Sequence, residues 1–473
     1  VALSQTVREK DLMTTPLAES SIANLFTASK DYLSEYDSLP DAEKYPQVLK
    51  WMKTEPLPFF AQLRAERPIL VTPDCTLVSH FTDVRDMLQM PKVFTVDLYK
   101  PKMGVTDTDP GYLMAHDDDA LHYREKSLMQ GMLNRNDLPA IRKLIAQTSA
   151  DILKNADNNI EIVNQYCRMV PATLVQEYFG LDEVEKTDLI DWSFWNQFDV
   201  FHNQPFDLNS PEKSQHIIDK HSEVTVKLQS YMTKTMVRKL AMVKLDETKN
   251  LLLIGWRIIK GITNKLLGRK TPVAKDDIIS RMLRSSFAEQ VDFDLVRIGV
   301  NAGGLLIGAI ETTSQAVSQV IEFILERPEL LNKAKTLAAQ EDTKAFDDLV
   351  WEALRFVPIS PYMFRQMSQD YELAKGTPHA TTIKKGTNVL ALTQSAMFDT
   401  YAYDNPDAFS PGRNFYHNFT FGFASHDCLG KYVGMEMIPE MVRQVMLMPG
   451  ISSDGSIDYK DGPFPEHYDL QWS

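Results

Sequence analysis

At 473 residues, 44% of them hydrophobic and 24% charged, the chain has the balance of an ordinary globular protein with ample apolar material for a core, which sets disorder aside. Its 50 Lys and Arg against 64 Asp and Glu leave a formal net charge of −14. That argues against nucleic acid as a partner, because phosphate backbones are bound by clustered cations. The three cysteines, Cys75, Cys167 and Cys428, are too few and too scattered for a disulfide framework or a structural zinc site, so a reducing cytoplasm is the simplest compartment.

The opening stretch VALSQTVREKDLMTT lacks an apolar signal core, and residues 1–45 read as a helical or loosely packed extension. No Gly/Ser linker, low-complexity tract or internal repeat divides the remainder, so residues 46–473 are expected to form one large domain. Residues 59–88 run as an apolar helix (FFAQLRAERP), two short strands (ILV and TLVSHF) about a Pro73-Asp74 turn, and a helix opened by Thr82 or Asp83. Helical spacing then dominates to about 350, in segments near 122–133, 138–154, 160–179, 184–198, 211–240, 277–286, 291–326 and 328–340. Around 244–270 the run LLLIGWRIIKGITNKLLGRK reads as an extra basic amphipathic helix. It is suited to an anionic membrane surface, to an acidic redox partner, or simply to packing on the surface. The longest uncharged apolar stretch lies between Arg297 and Glu311, shorter than the roughly 20 residues of a membrane span, and no transmembrane segment is expected. Beyond 358 the texture of Pro, Thr, Gly and runs such as TNVLALT predicts strands and turns, giving β-rich parts near 60–80 and 358–400. A last helix follows Cys428.

Chemistry concentrates in three strings. FGFASHDCLG (421–430) delivers Cys428 to the start of the helix LGKYVGMEM, where free backbone N–H groups and the helix dipole favour a thiolate able to ligate iron. Gly430 and Gly434 share a helix face on which a flat macrocycle could rest, with His426 as a donor to its anionic edge. A lone Cys taken by itself is as readily a buried apolar filler. NAGGLLIGAIETTSQA interrupts an apolar helix with Gly308, Glu311, Thr312 and Thr313. A buried acid there is costly, and a mid-helix Thr bonds back to a carbonyl and opens the ladder, making room for a small molecule. The plainer alternative is a core helix with a polar interhelical contact. WEALR sets Glu352 and Arg355 three apart on one helical face, within ion-pairing reach, an arrangement worth under ~1 kcal/mol on a surface.

FGFASHDCLG resembles the haem-binding loop of the cytochrome P-450 superfamily in Phe421, Gly422, the His two before the Cys, and Gly430 two after it. It departs at Ala424, where the family has Gly and a different backbone is therefore expected, and at Met435 and Pro439, where the family has Arg and a helix former. With landmarks in order from VSHFTDVRDML onward, the resemblance spans about residues 59–434. It implies a mainly α fold of the bacterial type, a helical bundle around haem with a small β-rich subdomain. Cys428 is then the iron ligand of haem b (iron protoporphyrin IX). Gly308 and Ala309 line the oxygen groove, Glu311 and Thr312 supply the acid and alcohol of proton delivery, and Glu352, Arg355 and Arg413 (in PDAFSPGR) form a structural triad. HDDDALHYREK supplies His122 and, with Lys in place of the usual Arg, Lys126; together with Arg365 of SPYMFRQ and His426 these are the implied propionate partners.

The implied activity is O2 activation with externally supplied electrons, to hydroxylate, dealkylate or epoxidise a largely apolar small molecule. A ferredoxin or flavodoxin-type partner with its reductase is implied as well, since the sequence has neither a Gly-rich nucleotide loop after a strand nor an iron–sulfur cysteine set. Substrate-lining residues are sought in 94–115, 192–206, 305–309 and 357–363, and a cytoplasmic monomer is expected. A peroxide-using or rearranging haem-thiolate enzyme and a non-catalytic haem sensor or carrier stay open, although the Glu311–Thr312 pair speaks against the first.

Overall fold

The structure, a computed structural model, describes residues 22–257, 276–286 and 293–473, with side chains throughout except at 246–257. From Ile22 onward the lead-in is packed. Helices α1 (Tyr32–Ser38), α2 (Asp41–Thr54) and α3 (Pro56–Glu66) bring Tyr32, Trp51 and Phe59 together with ring centroids 5.2 to 5.7 Å apart. Tyr36 donates its hydroxyl to Val71 O at 3.0 Å. Aromatic pairs of this kind contribute about 0.5–1.5 kcal/mol beyond their buried area. Of the two readings of residues 1–45, the helical one holds for the described part from residue 22, where Ile22, Tyr32, Leu33, Tyr36 and Tyr45 are buried while most of the other residues stay exposed. Helix α4 (Phe81–Leu88) follows the first two strands.

The body of the protein is helical. Asp119 caps α5 (Ala120–Met132) by accepting from His122 N, a satisfied N-terminal donor of the usual kind. Helix α6 (Leu138–Asn155) buries Ile141, Ile145, Ser149 and Leu153 at four-residue spacing, so one stripe faces the core. The expected helix at 160–179 is instead α7 (Met169–Leu174) between two wide π turns, Val163–Cys167 and Val175–Phe179. Then come α8 (Lys186–His202), the long α9 (Pro211–Arg257) and α10 (Ile278–Ser285). The central pair α11 (Leu295–Ala309) and α12 (Glu311–Leu325) follows, with α13 (Pro328–Ala338) and α14 (Lys344–Phe356) after it. A short α15 (Thr393–Ala396) and the terminal α16 (Lys431–Met446) complete the set. Helix α16 packs on α6, α12 and α14. Of the expected basic segment at 244–270, the backbone is helical to Arg257, and residues 258–270 lie outside the described residues. The run Leu295–Leu325 is long and apolar enough by length and composition to cross a membrane, yet α11 and α12 bury most of their residues against neighbouring elements.

A five-stranded sheet has the order β1-β2-β8-β5-β3. Strands β1 (Ile69–Val71) and β2 (Thr76–Val78) pair antiparallel, and β2 runs parallel to β8 (Asn388–Ala391) with Thr76 opposite Val389. Strand β5 (Met363–Met367) joins β8 to β3 (Phe94–Thr95), the last lying outside the expected β-rich parts. Separate pairs are β4 (Asn159–Glu161) with β9 (Asp469–Gln471), and β6 (Tyr371–Leu373) with β7 (Thr381–Ile383). The first of these closes the C-terminal tail onto the start of the π-turn segment.

Candidate active site

The loop before α16 is tightly held. Cys428 N donates to Phe421 O at 2.6 Å. Gly422 is left-handed at φ +77°, and a Cβ there would stand 2.9 Å from His426 O. Ala424 also lies in the left-handed region, at φ +56°, a conformation that favours glycine. Cys428 itself is accessible to solvent although its sulfur lies deep. Burial pushes its thiol above the ordinary range, while the Gly430 N–H bonded to sulfur, Lys126 and Lys431 pull the other way.

Of the two glycines of the expected resting face, Gly430 has only Cys428 Sγ within 4 Å of an added Cβ, at 3.9 Å, whereas Gly434 is covered. A Cβ on Gly434 would meet the Phe421 ring at 3.0 Å, and that ring also packs on Trp351 at 5.4 Å. Gly434 thus makes room for Phe421, which anchors the loop.

His122 and Lys126 face the same loop from α5. His122 has Nε2 3.0 Å from Ser425 O and Nδ1 2.9 Å from His116 O. Lys126 donates to Ser425 O at 2.5 Å and to Asp427 O at 2.8 Å, and pairs with the Asp427 carboxylate. Of these two expected propionate donors, Lys126 is turned wholly to the Cys loop and His122 faces it through Nε2. Arg365 and His426 differ. Arg365 is buried, bonds only to Phe364 O at 2.7 Å and makes no ion pair among the described residues. His426 is buried with no hydrogen bond to either ring nitrogen, Asp117 Oδ1 standing 3.4 Å away, and burial depresses its pKa to about 4.

The second wall is the junction of α11 and α12. Thr312 Oγ1 donates to Gly308 O at 2.7 Å. Ile307 O is taken by Gln197 Nε2 at 2.7 Å and Ser193 Oγ at 3.2 Å. The helix therefore breaks at Ile310 without leaving that carbonyl unsatisfied, as a buried polar group requires. Gly308 is exposed, and a Cβ at that position would meet nothing within 4 Å; Ala309 and Thr312 are half-buried, and Ile310, Glu311 and Thr313 are buried. Tyr112 spans the two walls. Its ring occupies the place of a side chain at Gly304, only 2.2 Å from a Cβ there. Burial, with Cys428 and Glu125 nearby, raises its hydroxyl pKa.

Glu311 turns away from Thr312 and is fully buried. Arg168 Nε stands 3.1 Å from each of its oxygens, and the same guanidinium reaches Asn164 Oδ1 at 2.6 Å and Glu466 Oε2 at 3.3 Å. Burial pushes the Glu311 carboxyl up to about 7 against the opposing pull of Arg168. Glu352 and Arg355 are joined by two bonds of 3.0 and 2.8 Å, Arg413 Nε reaches Glu352 at 3.1 Å, and Ser410 N donates to the same carboxylate at 2.8 Å. Arg355 also donates to Met397 O and Ala408 O, so the three charges are tied together under the Cys loop.

Sequence reasoning missed Arg168, Glu466, Ser193, Gln197 and Asp117. The one available signal was that Ser193 and Gln197 are polar residues one turn apart in the aromatic-rich WSFWNQF.

A cysteine at a helix start, on a loop braced from one side and faced by an opened helix on the other, is the arrangement that suits a haem-thiolate protein. The sequence profile described as Cytochrome P-450 matches residues 74–446, and the chain belongs to the cytochrome P-450 family. It is 24% identical over 404 residues to the erythromycin C-12 hydroxylase of Saccharopolyspora erythraea, covering 84% of this chain and 86% of that one. It is 22% identical over 422 residues to the pulcherriminic acid synthase of Bacillus subtilis, covering 84% and 88%. The solved structure of a cytochrome P-450 from Chondromyces apiculatus matches with a TM-score of 0.67 at 18% identity over 89% of this chain and 96% of that one. The fold is thus the mainly α cytochrome P-450 fold, and the protein is a monooxygenase whose cofactor is haem b held through a cysteine thiolate.

Proposed function

We propose that Cys428 is the thiolate ligand and that the enzyme uses O2, with electrons from a ferredoxin or flavodoxin-type partner and its reductase, to oxidise a largely apolar small molecule. The carrying observation is a solvent-exposed cysteine on a braced loop, with a helix opened at Gly308–Thr312 and Tyr112 packed on that helix at Gly304. The donor set fits haem b. Arg365 is a buried cation with no ion pair among the described residues, and His426 is buried with neither ring nitrogen hydrogen-bonded, its nearest carboxylate being Asp117 at 3.4 Å; two propionates would relieve the cost of both. His122 and Lys126 act first as braces of the loop.

When bound, haem supplies the oxidising chemistry, and the protein supplies orientation, protons and electrostatics. The Gly430 N–H and the helix start favour negative charge on sulfur. Thr312 Oγ, anchored by its bond to Gly308 O, keeps its lone pairs free to accept a proton and relay it. Glu311 titrates close to neutral pH, where a general acid is most effective, and Arg168 governs how readily it swings from its buried pair. Gln197 and Ser193 hold the helix open by occupying Ile307 O. Three free thiols favour a reducing cytoplasm, and residues 46–473 act as one catalytic domain in a monomer.

The test is isotopic. With a ferredoxin, its reductase, NADPH and 18O2, a substrate chosen by its spin-state shift should acquire one 18O atom. Turnover with hydrogen peroxide alone, and none with the electron-transfer system, would replace this reading with a peroxide-driven one.

A further inference from the structure

Away from the Cys428 loop, α4 meets the link between β6 and β7. His80 immediately precedes α4, Asp83 lies in its first turn, and His379 comes from the β6–β7 link. Asp83 Oδ2 is 3.1 Å from His379 Nε2 and 3.8 Å from His80 Nδ1, and the three ligand atoms lie within 4.8 Å of one another. Tetrahedral bonds of about 2.0–2.1 Å to a zinc-type ion would set neighbouring ligand atoms roughly 3.3 Å apart. The two separations from Asp83 bracket that distance, and an ion entering here displaces the proton that His379 Nε2 offers to Asp83 Oδ2.

The hydrogen bonding orients the donors. His80 Nε2 stands 2.9 Å from Arg64 O, and a carbonyl only accepts, so the ring proton is on Nε2 and Nδ1 presents its lone pair to the cluster. A backbone carbonyl on the remote nitrogen is the usual orienting partner of a metal-bound imidazole. The two imidazoles stand edge to face with centroids 5.0 Å apart.

The electrostatics call for a cation. Asp83 is 6% exposed, and its ion-pair partners are the two histidines, with no Lys or Arg among them in the described residues. The charged groups nearest on α4 are Arg85 and Asp86, which pair with each other. A buried carboxylate without a permanent counter-charge is costly, and a divalent ion offsets that cost. The His80 and His379 side chains remain 27% and 24% exposed, so an ion and a completing water have access.

We infer that His80, Asp83 and His379 form a binding site for one divalent transition-metal ion of the zinc class, with two imidazoles, one carboxylate and a position open to water, fastening the β6–β7 link to α4. Two nitrogen donors disfavour Mg2+ and Ca2+, which take oxygen ligands.

The test uses the intact holoenzyme, stripped with a chelator, re-equilibrated with Zn2+ and desalted. The wild type should retain one zinc per chain and show a higher unfolding midpoint with zinc than without. His80→Ala and His379→Ala should each weaken zinc binding by more than about tenfold. His467→Ala, which removes a surface histidine paired with Asp469 at 2.9 Å, should bind zinc as the wild type does. X-ray absorption at the zinc edge of the wild type should show two imidazoles and oxygen neighbours, and this decides the matter if a variant fails to fold. No retained zinc in the wild type, equal retention by the double His80→Ala/His379→Ala variant, or a zinc edge with fewer than two imidazoles would overturn the site.

Discussion

Replacing Ala424 by glycine should make the protein more stable, and replacing Gly422 by alanine should damage it. Ala424 sits at φ +56° with its methyl exposed. Holding an L side chain in that region costs about 1–2 kcal/mol, and removing the exposed methyl forfeits no packing. Glycine adds back roughly 0.5–1 kcal/mol of unfolded-chain freedom, so Ala424→Gly should gain about 0.5–1 kcal/mol. At Gly422, φ +77°, the new Cβ would lie 2.9 Å from His426 O and 3.3 Å from Asp427 Cα. Both are backbone atoms of the loop that positions Cys428 and cannot swing aside. Strain and clash together should cost about 2 kcal/mol or more. Equilibrium urea unfolding of the holoprotein, followed by tryptophan fluorescence and by haem absorbance, measures both. An Ala424→Gly variant less stable than wild type, or a Gly422→Ala variant equal to it, would refute this account of the loop.

Other outcomes follow from the same geometry. Arg355→Ala leaves Glu352 buried beside Arg413 alone and should cost about 3–5 kcal/mol, seen as a collapse in folded yield and unfolding midpoint. Thr312→Ala and Gln197→Leu should both lower product formed per O2 consumed, the first by removing the alcohol and the second by freeing Ile307 O to reclose the helix. Equal coupling in both variants and wild type would count against the relay. Glu311, shifted from 4.5 to about 7 by burial, binds its proton more tightly in the folded state. Its contribution to stability is therefore complete below about pH 4.5 and lost as pH rises through about 7, a change of about 3 kcal/mol. Glu311→Gln should flatten that part of the stability–pH curve.

The helical body was legible because its apolar spacing is regular: α5, α6, α8, α10 and α13 begin and end within a few residues of where periodicity and caps place them, whereas α9 runs on past 240 to Arg257 and the single stretch expected at 291–326 is two helices parted at Ile310. The Cys428 loop and the Glu352–Arg355–Arg413 triad were legible because their residues occur in short contiguous strings. What was hidden is tertiary. Tyr32 and Tyr36 look like surface residues until the rings of Trp51 and Phe59 and the Val71 carbonyl are brought to them. Gly434 looks like a landing place until Phe421 folds over it. Arg168 meets Glu311 from 143 residues away, and no local pattern announces such a pair. The π turns around α7 share the composition of a plain helix, so periodicity alone cannot separate them.

The central claim is that the sulfur at position 428 ligates iron. Reduced protein exposed to carbon monoxide should show the far-red-shifted Soret band of thiolate ligation, and Cys428→Ala should lose it while His122→Ala and His426→Ala keep it. A wild-type spectrum typical of imidazole-bound haem, or a Cys428→Ala spectrum unchanged from wild type, would contradict the account.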